Sequence, residues 1–592
     1  MADIPGLDPT ISRRVLEWLE GPYDEKTKED IRLAIRQNPK SLIDAFYTDL
    51  SFGTGGLRGL MGIGTDRMNQ YTVCTATQGL ANNILKSGPY KSPPKVLIGF
   101  DSRHHSHTFA TYAARVLAAN GIGVYLLKDL RPTPFISFAL RHKKALSGIM
   151  ITASHNPKDY NGYKVYWSDG AQTVPPHDTG IIAEVHRVQS FAHVKIAEEN
   201  HPLIEIINGA LDEAYLSAIR PLQLFPVENK QYGSDLKIIY TSLHGTGITI
   251  VPKALNDWGF TSIHFVKEQI IPDGDFPTVK FPNPEFKEAL QLGMDLLQKT
   301  SGDLLIATDP DADRMGIVVM HDKALQVLTG NEIAALCSFY LCQQLKEHGK
   351  LKPNAAIITT IVSTELLKAI ASSFKVNCFE VLTGFKYIGE KIHQWEMSKE
   401  NYEFIFGAEE SYGYLYGTHA RDKDAIISSC LISEIALFCK RAKKTLLDLL
   451  DEIYKNYGIF RESQVSLNFK AGKEGMDQMT AVMAHLRKKT PLSFANLKVI
   501  KLEDYEQGVR HDISTQKQEP LNLPKSDVLL FWLEDGSKIV VRPSGTEPKI
   551  KIYGGVQTHS FTTIQEGIAS CDKRLDDLLK SIQEDLKTSL AC

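Results

Sequence analysis

Short apolar runs alternate with amphipathic stretches over most of this chain. Runs of about five apolar residues predict strands, and segments with apolar residues every three to four positions predict helices. The clearest succession is a strand at 96–100, a helix at 108–120 and a strand at 123–127. Because a helix between two apolar strands is typical of a parallel crossover, this pattern predicts βαβ units.

The rest of the chain extends this pattern and then departs from it. Helices are predicted at 13–19, 29–35 and 41–47, and further strands at 236–240, 303–307, 355–362 and 403–407. These strands end in polar or glycine-rich residues, as expected where ligands bind at the carboxyl ends of an α/β sheet. From about residue 456, strands at 528–532 and 550–553 with surrounding helices predict an α+β domain. Linkers are predicted at 189–202 and 454–462.

Length and composition narrow the class of protein. A chain of 592 residues is too long for one hydrophobic core, and about three to five domains are expected. The hydrophobic content of 43% and charged content of 23% are typical of a globular protein in water. A net charge of −3 provides no electrostatic attraction for nucleic acid or an anionic membrane, so neither partner is predicted.

The eight cysteines include no CxxC pair and lie mostly in apolar surroundings. This usage predicts reduced, buried thiols rather than a disulfide framework. The first residues lack a charged-then-apolar signal pattern, and no apolar run approaches the length of a membrane span. A cytoplasmic location is therefore predicted.

A polar loop directly follows the predicted strand that ends at Ile151. It has the sequence Thr-Ala-Ser-His-Asn-Pro over 152–157, and Lys164 lies a few residues further on. A serine hydroxyl needs a neighbouring base or cation to act as a nucleophile or to carry a phosphoryl group, and His155 and Lys164 are candidates for these roles. The loop by itself leaves both a hydrolase nucleophile and a phosphoryl carrier open.

A second loop follows the predicted strand at 303–307 and contains Asp309, Asp311 and Asp313. Three carboxylates at alternate positions of a tight loop suit a hard cation with oxygen ligands, and Mg²⁺ with one position left for a phosphate is the natural choice. An EF-hand is excluded because its sixth position would be Arg314 instead of glycine and its twelfth would be Met320 instead of glutamate. A solvated acidic turn is the remaining alternative.

Two further motifs are weaker when each is taken alone. Segment 542–549, Arg-Pro-Ser-Gly-Thr-Glu-Pro-Lys, combines a guanidinium, two hydroxyls and a glycine, which suits a phosphate cradle. A hairpin turn capped by serine and threonine is the alternative. Segment 407–413, Gly-Ala-Glu-Glu-Ser-Tyr-Gly, offers carboxylates and a hydroxyl for vicinal sugar hydroxyls, although Glu-Glu-Ser also occurs at ordinary helix starts.

In order and approximate spacing, segments 152–164, 309–314, 407–413 and 542–549 resemble those of the α-D-phosphohexomutases, a family that includes phosphoglucomutases and phosphomannomutases. Arg58 and segment 101–103 also resemble family features. The resemblance covers nearly the whole chain. It implies an α/β protein with four domains around a central cleft: three related α/β domains and a C-terminal α+β domain. The domains are predicted at 1–208, 209–322, 323–455 and 456–592.

The resemblance also implies a role for each site residue. Ser154 would be the phosphoserine, and Asp309, Asp311 and Asp313 would bind Mg²⁺ together with its phosphate. Arg58, His155 and Lys164 would assist proton transfer and orient the phosphate. The residues expected to contact the substrate are Glu409, Ser411, Arg314, Lys423, Arg542, Ser544, Gly545 and Thr546.

The implied activity is that of a Mg²⁺-dependent phosphoglucomutase that interconverts glucose 1-phosphate and glucose 6-phosphate, with glucose 1,6-bisphosphate as intermediate and activator. Glu409–Ser411 resembles the glucose-preferring loop. Segments 162–167 and 382–386 instead resemble the branch with phosphopentomutases and glucose 1,6-bisphosphate synthases, so these activities and a phosphomannomutase stay open.

Two hypotheses from other classes are a phosphatase that uses Ser154 and a non-catalytic sugar-phosphate sensor. The intact Ser154, Lys164 and three aspartates argue against the sensor. The expected partner is a small phosphosugar, and the protein is expected to be a monomer or a weak homo-oligomer.

Several histidines and lysines receive a structural or an open interpretation. His104, His105 and His107 crowd one short loop, and a loop at a helix start is favoured over a metal site. His244 is expected either to line the cleft or to hold a turn. Lys386, like Lys423, is a candidate phosphate contact because of its position in the third block.

Overall fold

The computed structural model describes residues 4–52, 56–470, 473–544 and 549–590. The chain divides into two compact units. The first contains residues up to 328 together with 385–401 and 411–438, and the second contains 329–384, 402–410 and the residues from 439 onward.

The first unit begins with a small helical cluster, and the predicted N-terminal helices are confirmed. They are α1 (Pro9–Glu20), α2 (Glu25–Gln37) and α3 (Ser41–Phe46). Asp8 and Asp24 cap α1 and α2 through their side chains, each accepting a backbone N–H at 2.8 Å. Buried apolar residues such as Trp18 and Phe46 hold the helices together.

The next elements form a mixed sheet with helices packed against its strands. In chain order they are β1 (Gly56–Leu60), α4 (Gln70–Lys86), β2 (Lys95–Phe100), α5 (Ser106–Ala119), β3 (Gly123–Leu127), α6 (Thr133–His142), β4 (Ser147–Ile151), β5 (Tyr160–Trp167), α7 (His177–Arg187) and β6 (Ile204–Ile207). The strand order is β1-β5-β4-β2-β3-β6. The predicted parallel β2–α5–β3 unit is confirmed, whereas β5 runs antiparallel to both β4 and β1.

A second mixed sheet follows in the same unit. Its region contains α8 (Ala210–Ile219), α9 (Pro226–Tyr232), β7 (Ile238–Thr241), α10 (Val251–Asp257), β8 (Ile263–Phe265), α11 (Lys287–Thr300), β9 (Leu304–Thr308), β10 (Met315–His321) and β11 (Ala324–Val327). The strand order is β11-β10-β9-β7-β8. The strand β9 is buried along its whole length and forms an antiparallel hairpin with β10, which fixes the acidic loop between them.

The remaining elements divide between the two units. They are α12 (Gly330–Glu347), β12 (Ala355–Thr360), α13 (Leu366–Ser373), β13 (Asn377–Val381), α14 (Phe385–Met397), β14 (Glu403–Glu409), β15 (Gly413–Tyr416), α15 (Ala425–Arg441) and α16 (Leu446–Tyr457). In the second unit, β12 pairs in parallel with both β13 and β14. The predicted strands of this block are confirmed.

The C-terminal part of the second unit is an antiparallel sheet with helices. It consists of β16 (Ile459–Asn468), α17 (Lys473–Lys488), β17 (Ser493–Phe494), β18 (Leu497–Asp504), β19 (Val509–Asp512), β20 (Lys517–Pro520), β21 (Leu529–Leu533), β22 (Lys538–Pro543), β23 (Lys549–Thr558) and α18 (Ile564–Leu590). The order β16-β23-β22-β21-β18-β19-β20 with antiparallel neighbours confirms the predicted α+β architecture.

The stretch 454–462, predicted as a linker, consists almost entirely of regular structure. Over 454–462 the chain passes from α16 into β16 through the single residue Gly458, whose φ of 94° favours glycine. Over 189–202 the chain contains only a 3₁₀ turn at Phe191–His193 within the described residues, and it packs on the first sheet's helices through Lys195 and Ala197. The predicted domain boundaries and the central cleft stay predictions.

Two smaller predictions concern cysteines and membranes. The cysteines of the described ranges are free thiols, and all except Cys378 are fully buried, as expected. In the described part of the chain, no helix combines the length and the apolar character that a membrane span requires.

Candidate active site

Ser154 lies in a tight loop at the carboxyl end of β4, where the fully buried strand emerges from the sheet. Thr152 donates its backbone N–H to Gly162 O at 3.0 Å, and its hydroxyl accepts the Ser154 N–H at 2.8 Å. Ser154 has a φ of 52°, a left-handed conformation that is sparsely populated by residues other than glycine. Only 3% of the residue is exposed, so the structure around it must hold this backbone in place.

The loop between β9 and β10, residues 309–314, is called the acidic loop, and the loop between β4 and β5, residues 152–159, is called the serine loop. The two loops are in contact. Asp309 Oδ1 accepts the backbone N–H groups of Asp313 and Arg314, both at 3.1 Å. These two bonds connect the beginning of the acidic loop to its end. Ser154 Oγ donates to the other oxygen, Asp309 Oδ2, at 2.7 Å. Two loops that are 155 residues apart in sequence therefore converge on one hydroxyl.

Two lysines neutralise part of this acidic cluster. Lys164 Nζ, from β5, lies 2.7 Å from Asp311 Oδ2 and 3.1 Å from Asp313 Oδ2. Lys423 Nζ lies 3.2 Å from Asp313 Oδ2 and 3.1 Å from Asp422 Oδ1. All of these side chains are buried, where charges interact strongly.

The electrostatics distinguish the three aspartates. Burial, reinforced by Asp311 and Asp313, raises the pKa of Asp309 well above its usual value. Burial would also raise the pKa of Asp313, but Lys164, Lys423 and Arg314 hold it far below its usual range. Burial opposes the charge of Lys164, yet Asp311 and Asp313 raise the pKa of this lysine, so it stays a cation. Asp309 is thus the carboxylate with the least compensated charge.

The three aspartates fit a hard metal cation. Their nearest carboxylate oxygens all lie within 4.8 Å of one another. Asp311 Oδ1 and Asp313 Oδ1 are buried without a hydrogen-bond partner in the described structure, which is costly for carboxylate oxygens unless a cation binds them. Oxygen donors at this spacing are typical of Mg²⁺ and Ca²⁺ sites. Among the described residues, this is the one cluster of His, Cys, Asp and Glu that could hold a metal ion.

Two supports of the acidic loop were missed by the sequence analysis. Thr133, at the start of α6, donates its hydroxyl to Asp311 Oδ2 and its N–H to Asp311 O, both at 2.8 Å. Thr246, in the turn after β7, donates its N–H and its hydroxyl to Pro310 O at 2.7 and 2.9 Å. Neither residue belongs to a recognisable motif, because each acts through a loop distant in sequence.

We expect Gly245→Ala to disturb this support. A Cβ at Gly245 would lie 2.2 Å from Pro310 Cα, so the acidic loop must shift. The free energy of unfolding should fall by about 1–3 kcal/mol because of this overpacking, and any catalytic turnover that depends on the acidic loop should fall with it. Melting temperature and turnover check the prediction. Gly209→Ala is the control, since its Cβ would meet nothing closer than 3.8 Å; an equal loss in both variants would contradict the steric argument.

Three further predicted site residues lie around Ser154. His155 Nδ1 lies 3.2 Å from Ser154 Oγ, and burial, with Arg314 and Arg58 nearby, lowers the pKa of His155 well below its usual value. The imidazole is therefore neutral at physiological pH. Arg58, on β1, donates to Asn156 Oδ1 at 3.2 Å, and Arg314 donates to Glu285 Oε1 at 2.5 Å.

The other predicted substrate contacts lie partly in the second unit. Glu409 ends β14, and its Oε1 accepts the backbone N–H of Gly384 at 2.8 Å. Ser411 belongs to the first unit. Arg542 is near the end of β22, and Ser544 donates its N–H to Lys549 O at 2.8 Å. Gly545 and Thr546 lie outside the described residues.

The remaining histidines have structural environments. His244 Nε2 lies 2.8 Å from Thr278 Oγ1 and Nδ1 lies 3.3 Å from Ile271 O, so it holds a turn. His105 has a φ of 64° and immediately precedes α5. This confirms the prediction that the histidine-rich segment is a loop at the start of a helix. Lys386, at the start of α14, has its ammonium 4.9 Å from the centre of the Tyr387 ring.

Family models match most of the chain. The models for the phosphoglucomutase/phosphomannomutase α/β/α domains I, II and III match residues 49–191, 213–322 and 329–457. Among curated relatives, a phosphoglucomutase of Staphylococcus epidermidis is 39% identical over 529 residues, which cover 89% of this chain and 94% of the relative. A phosphoglucomutase of Staphylococcus aureus is 36% identical over 554 residues, which cover 93% of this chain and 97% of the relative.

Solved structures share the fold at low sequence identity. The open form of parafusin, a phosphoglucomutase from Paramecium, superimposes with a TM-score of 0.66 at 18% identity and covers 92% of this chain and 95% of its own. A phosphoglucomutase/phosphomannomutase family protein from Burkholderia thailandensis gives a TM-score of 0.64 at 18% identity, covering 92% and 98%. With three domain models matched in order and relatives above 35% identity over most of its length, the chain belongs to the phosphoglucomutase/phosphomannomutase family, the α-D-phosphohexomutases.

Proposed function

We propose that this protein is a phosphoglucomutase that transfers a phosphoryl group between the 1 and 6 positions of glucose through a phosphoserine at Ser154. The observation that carries the proposal is the 2.7 Å hydrogen bond from Ser154 Oγ to Asp309, inside a buried carboxylate cluster that already holds the Lys164 ammonium. Membership of a mutase family and the phosphoglucomutase names of the curated relatives support the choice of reaction.

Mg²⁺ is the proposed cofactor, held by Asp309, Asp311 and Asp313 together with the phosphate on Ser154. The orphaned oxygens of Asp311 and Asp313 support this assignment, because a hard cation would satisfy them. When bound, the ion supplies positive charge that stabilises the transferring phosphoryl group.

The chain's own residues handle the protons and the remaining charge. Neutral His155, with Nδ1 3.2 Å from Ser154 Oγ, is placed to accept a proton from an attacking hydroxyl. Lys164 remains an ammonium beside Asp311 and Asp313, which suits a fixed cation near the phosphate better than a base. Arg58, next to Asn156 of the serine loop, would orient the phosphate.

Substrate recognition is proposed for residues of segments 407–413 and 542–549. Glu409 and Ser411 would bind sugar hydroxyls. Arg542, Ser544, Gly545 and Thr546 would hold the non-reacting phosphate. Lys423 lies 3.2 Å from Asp313, so a phosphate bound by Lys423 would also lie beside the carboxylate cluster; Arg314, in the same loop, would contribute a further positive charge. Glucose 1,6-bisphosphate would be the intermediate, which reorients and returns a phosphoryl group to Ser154.

A substrate panel tests the proposal. With Mg²⁺ and a trace of glucose 1,6-bisphosphate, we expect glucose 1-phosphate to give glucose 6-phosphate with kcat/KM about tenfold or more above mannose, N-acetylglucosamine, ribose and deoxyribose 1-phosphates. Chelation of the metal should abolish turnover. Faster turnover of a pentose or mannose phosphate would overturn the substrate assignment. Release of free phosphate would indicate a phosphatase, and binding without turnover would indicate a sensor.

A further inference from the structure

Arg103, in the loop after β2, forms several hydrogen bonds to the backbone of the serine loop. Only 3% of this residue is exposed. Its Nη2 donates to the carbonyls of Ser154 and Asn156, both at 2.6 Å. Its Nη1 donates to the carbonyls of Pro157 and Tyr160 at 2.7 and 3.0 Å. One guanidinium thus binds four carbonyl groups within seven residues of chain.

Three of these four bonds occur where regular structure provides little support, and the fourth is to Tyr160, the first residue of β5. Residues 152–159 lie between β4 and β5, outside both strands, and Ser154 itself has the left-handed φ of 52°. A non-glycine residue persists in that region only when its surroundings hold it. The buried carbonyl group of Ser154 also requires a partner, and the Arg103 guanidinium supplies it here.

The guanidinium itself contacts two side chains, Asp101 and Phe276. Asp101 Oδ2 lies 3.3 Å from Arg103 Nε, and Asp101 Oδ1 accepts the Arg103 backbone N–H at 3.0 Å. The Phe276 ring centre lies 4.9 Å from the guanidinium carbon. Ser106 donates its hydroxyl to Asp101 Oδ1 at 2.7 Å, which fixes the carboxylate in turn. These contacts hold the Arg103 guanidinium with its two Nη atoms toward the serine loop.

We propose that Arg103 is a positioning residue for phosphoryl transfer: its guanidinium holds the backbone of the Ser154 loop so that the serine oxygen stays against the aspartate cluster. The inference rests on the proposed function, because it concerns the geometry of the phosphoryl carrier. Among the hydrogen bonds of the described residues, none joins Arg103 to the Ser154 hydroxyl or to the carboxylates of Asp309, Asp311 and Asp313, so it acts through the loop. A lysine would keep the charge but present one nitrogen where the guanidinium presents two to the carbonyls.

Arg103→Lys, compared with the wild type, is the deciding variant. We expect its kcat to fall about 100-fold, since a small displacement of a reacting group has effects of this size. Its KM for glucose 1-phosphate should change less than about threefold, because the residue contacts the loop and not the sugar. In ³¹P NMR, the phosphoserine signal of the variant should broaden or split as the loop samples more than one conformation.

Arg115→Lys is the matched control. Arg115 also donates its guanidinium to a backbone carbonyl of the first unit, Ala197 O at 2.6 Å, but the segment that it holds is remote in sequence from the serine loop. This variant should keep the wild-type kcat and phosphoserine signal. Asp101→Asn is the second test, used also if Arg103→Lys fails to fold: it leaves the guanidinium in place but weakens its anchor, and kcat should fall about tenfold at unchanged KM.

The outcomes separate the inference from the proposed function. If the wild type takes no phosphoryl group from glucose 1,6-bisphosphate by intact mass, the proposed function and this inference both fail. If the wild type is phosphorylated and Arg103→Lys keeps its kcat, or loses it only in proportion to the folded fraction, the positioning role alone is overturned. An equal loss in Arg103→Lys and Arg115→Lys would likewise reduce Arg103 to a structural residue.

Discussion

Replacing Ser154 by alanine is expected to lower mutase turnover by at least about 10⁴-fold, because the substitution removes the oxygen that we propose forms the phosphoester. The variant should also take up no phosphoryl group when it is incubated with glucose 1,6-bisphosphate and Mg²⁺. A coupled assay for glucose 6-phosphate measures the first effect, and intact mass spectrometry measures the second. The substitution removes the 2.7 Å hydrogen bond from Ser154 Oγ to Asp309. Asp309 keeps its bonds to the backbone of its own loop, so the variant should fold.

Ser147→Ala controls for the loss of a buried hydroxyl from the same strand and loop. Ser147, at the start of β4, donates to Tyr166 O at 2.7 Å and is fully buried. Its removal should cost about 1 kcal/mol of stability and leave turnover within about twofold of the wild type. Unchanged turnover in Ser154→Ala would refute the phosphoserine mechanism, whatever the stability of the variant.

Replacing Asp309 by asparagine is expected to lower turnover by at least about 10³-fold, since the change removes one of the three carboxylates that we propose bind the metal, and the charged acceptor of the Ser154 hydroxyl. The same change should stabilise the metal-free protein by about 1 kcal/mol, because it removes the least compensated of three crowded negative charges. The asparagine oxygen can still accept the N–H groups of Asp313 and Arg314, so the loop keeps its shape. Activity and melting temperature, each measured with and without Mg²⁺, check the expected loss of turnover and the expected gain in stability of the metal-free protein.

Asp303→Asn is the matched control for charge removal on the same strand. Asp303 immediately precedes β9, and its Oδ2 accepts the Lys237 N–H at 2.8 Å, away from the cluster. Its replacement should leave both turnover and the stabilisation by Mg²⁺ unchanged. A metal-free Asp309→Asn protein that melts below the wild type would contradict the view that the triad is destabilising without a cation.

Local chemistry was a good guide to the loops that carry the site. The strand before Ser154 and the strand before Asp309 were both predictable, because each is a short apolar run that ends in polar residues. The spacing of Asp309, Asp311 and Asp313 indicated a hard-metal site before any geometry was known, since these side chains belong to one loop. The antiparallel direction of β5 was not predictable, because its residues are buried on both faces of the sheet and their pattern does not reveal the direction of the strand.

The supporting residues were harder to find. Thr133 and Gly245 lie against the acidic loop, and Arg103 lies against the serine loop, only because the tertiary structure brings together segments that are distant in sequence. Threonine and glycine are common in turns and at helix starts, so a single sequence contains no signal that separates Thr133 and Gly245 from ordinary positions. Arg103 belongs to segment 101–103, which resembles a family feature, but the resemblance assigned it no role. The role of Arg103 became apparent from four hydrogen-bond distances, and not from its neighbours along the chain.

By itself, the sequence determined the succession of strands and helices, the chemistry of each loop and the family to which they belong, because these depend on residues that are close together along the chain. The tertiary structure alone decided that Ser154 faces Asp309, that Lys164 and Lys423 neutralise Asp313, and that Arg103 holds the serine loop. These contacts join residues from about 50 to more than 150 positions apart. They form only when the sheets assemble, and burial then converts ordinary charges into a site with strongly shifted pKa values.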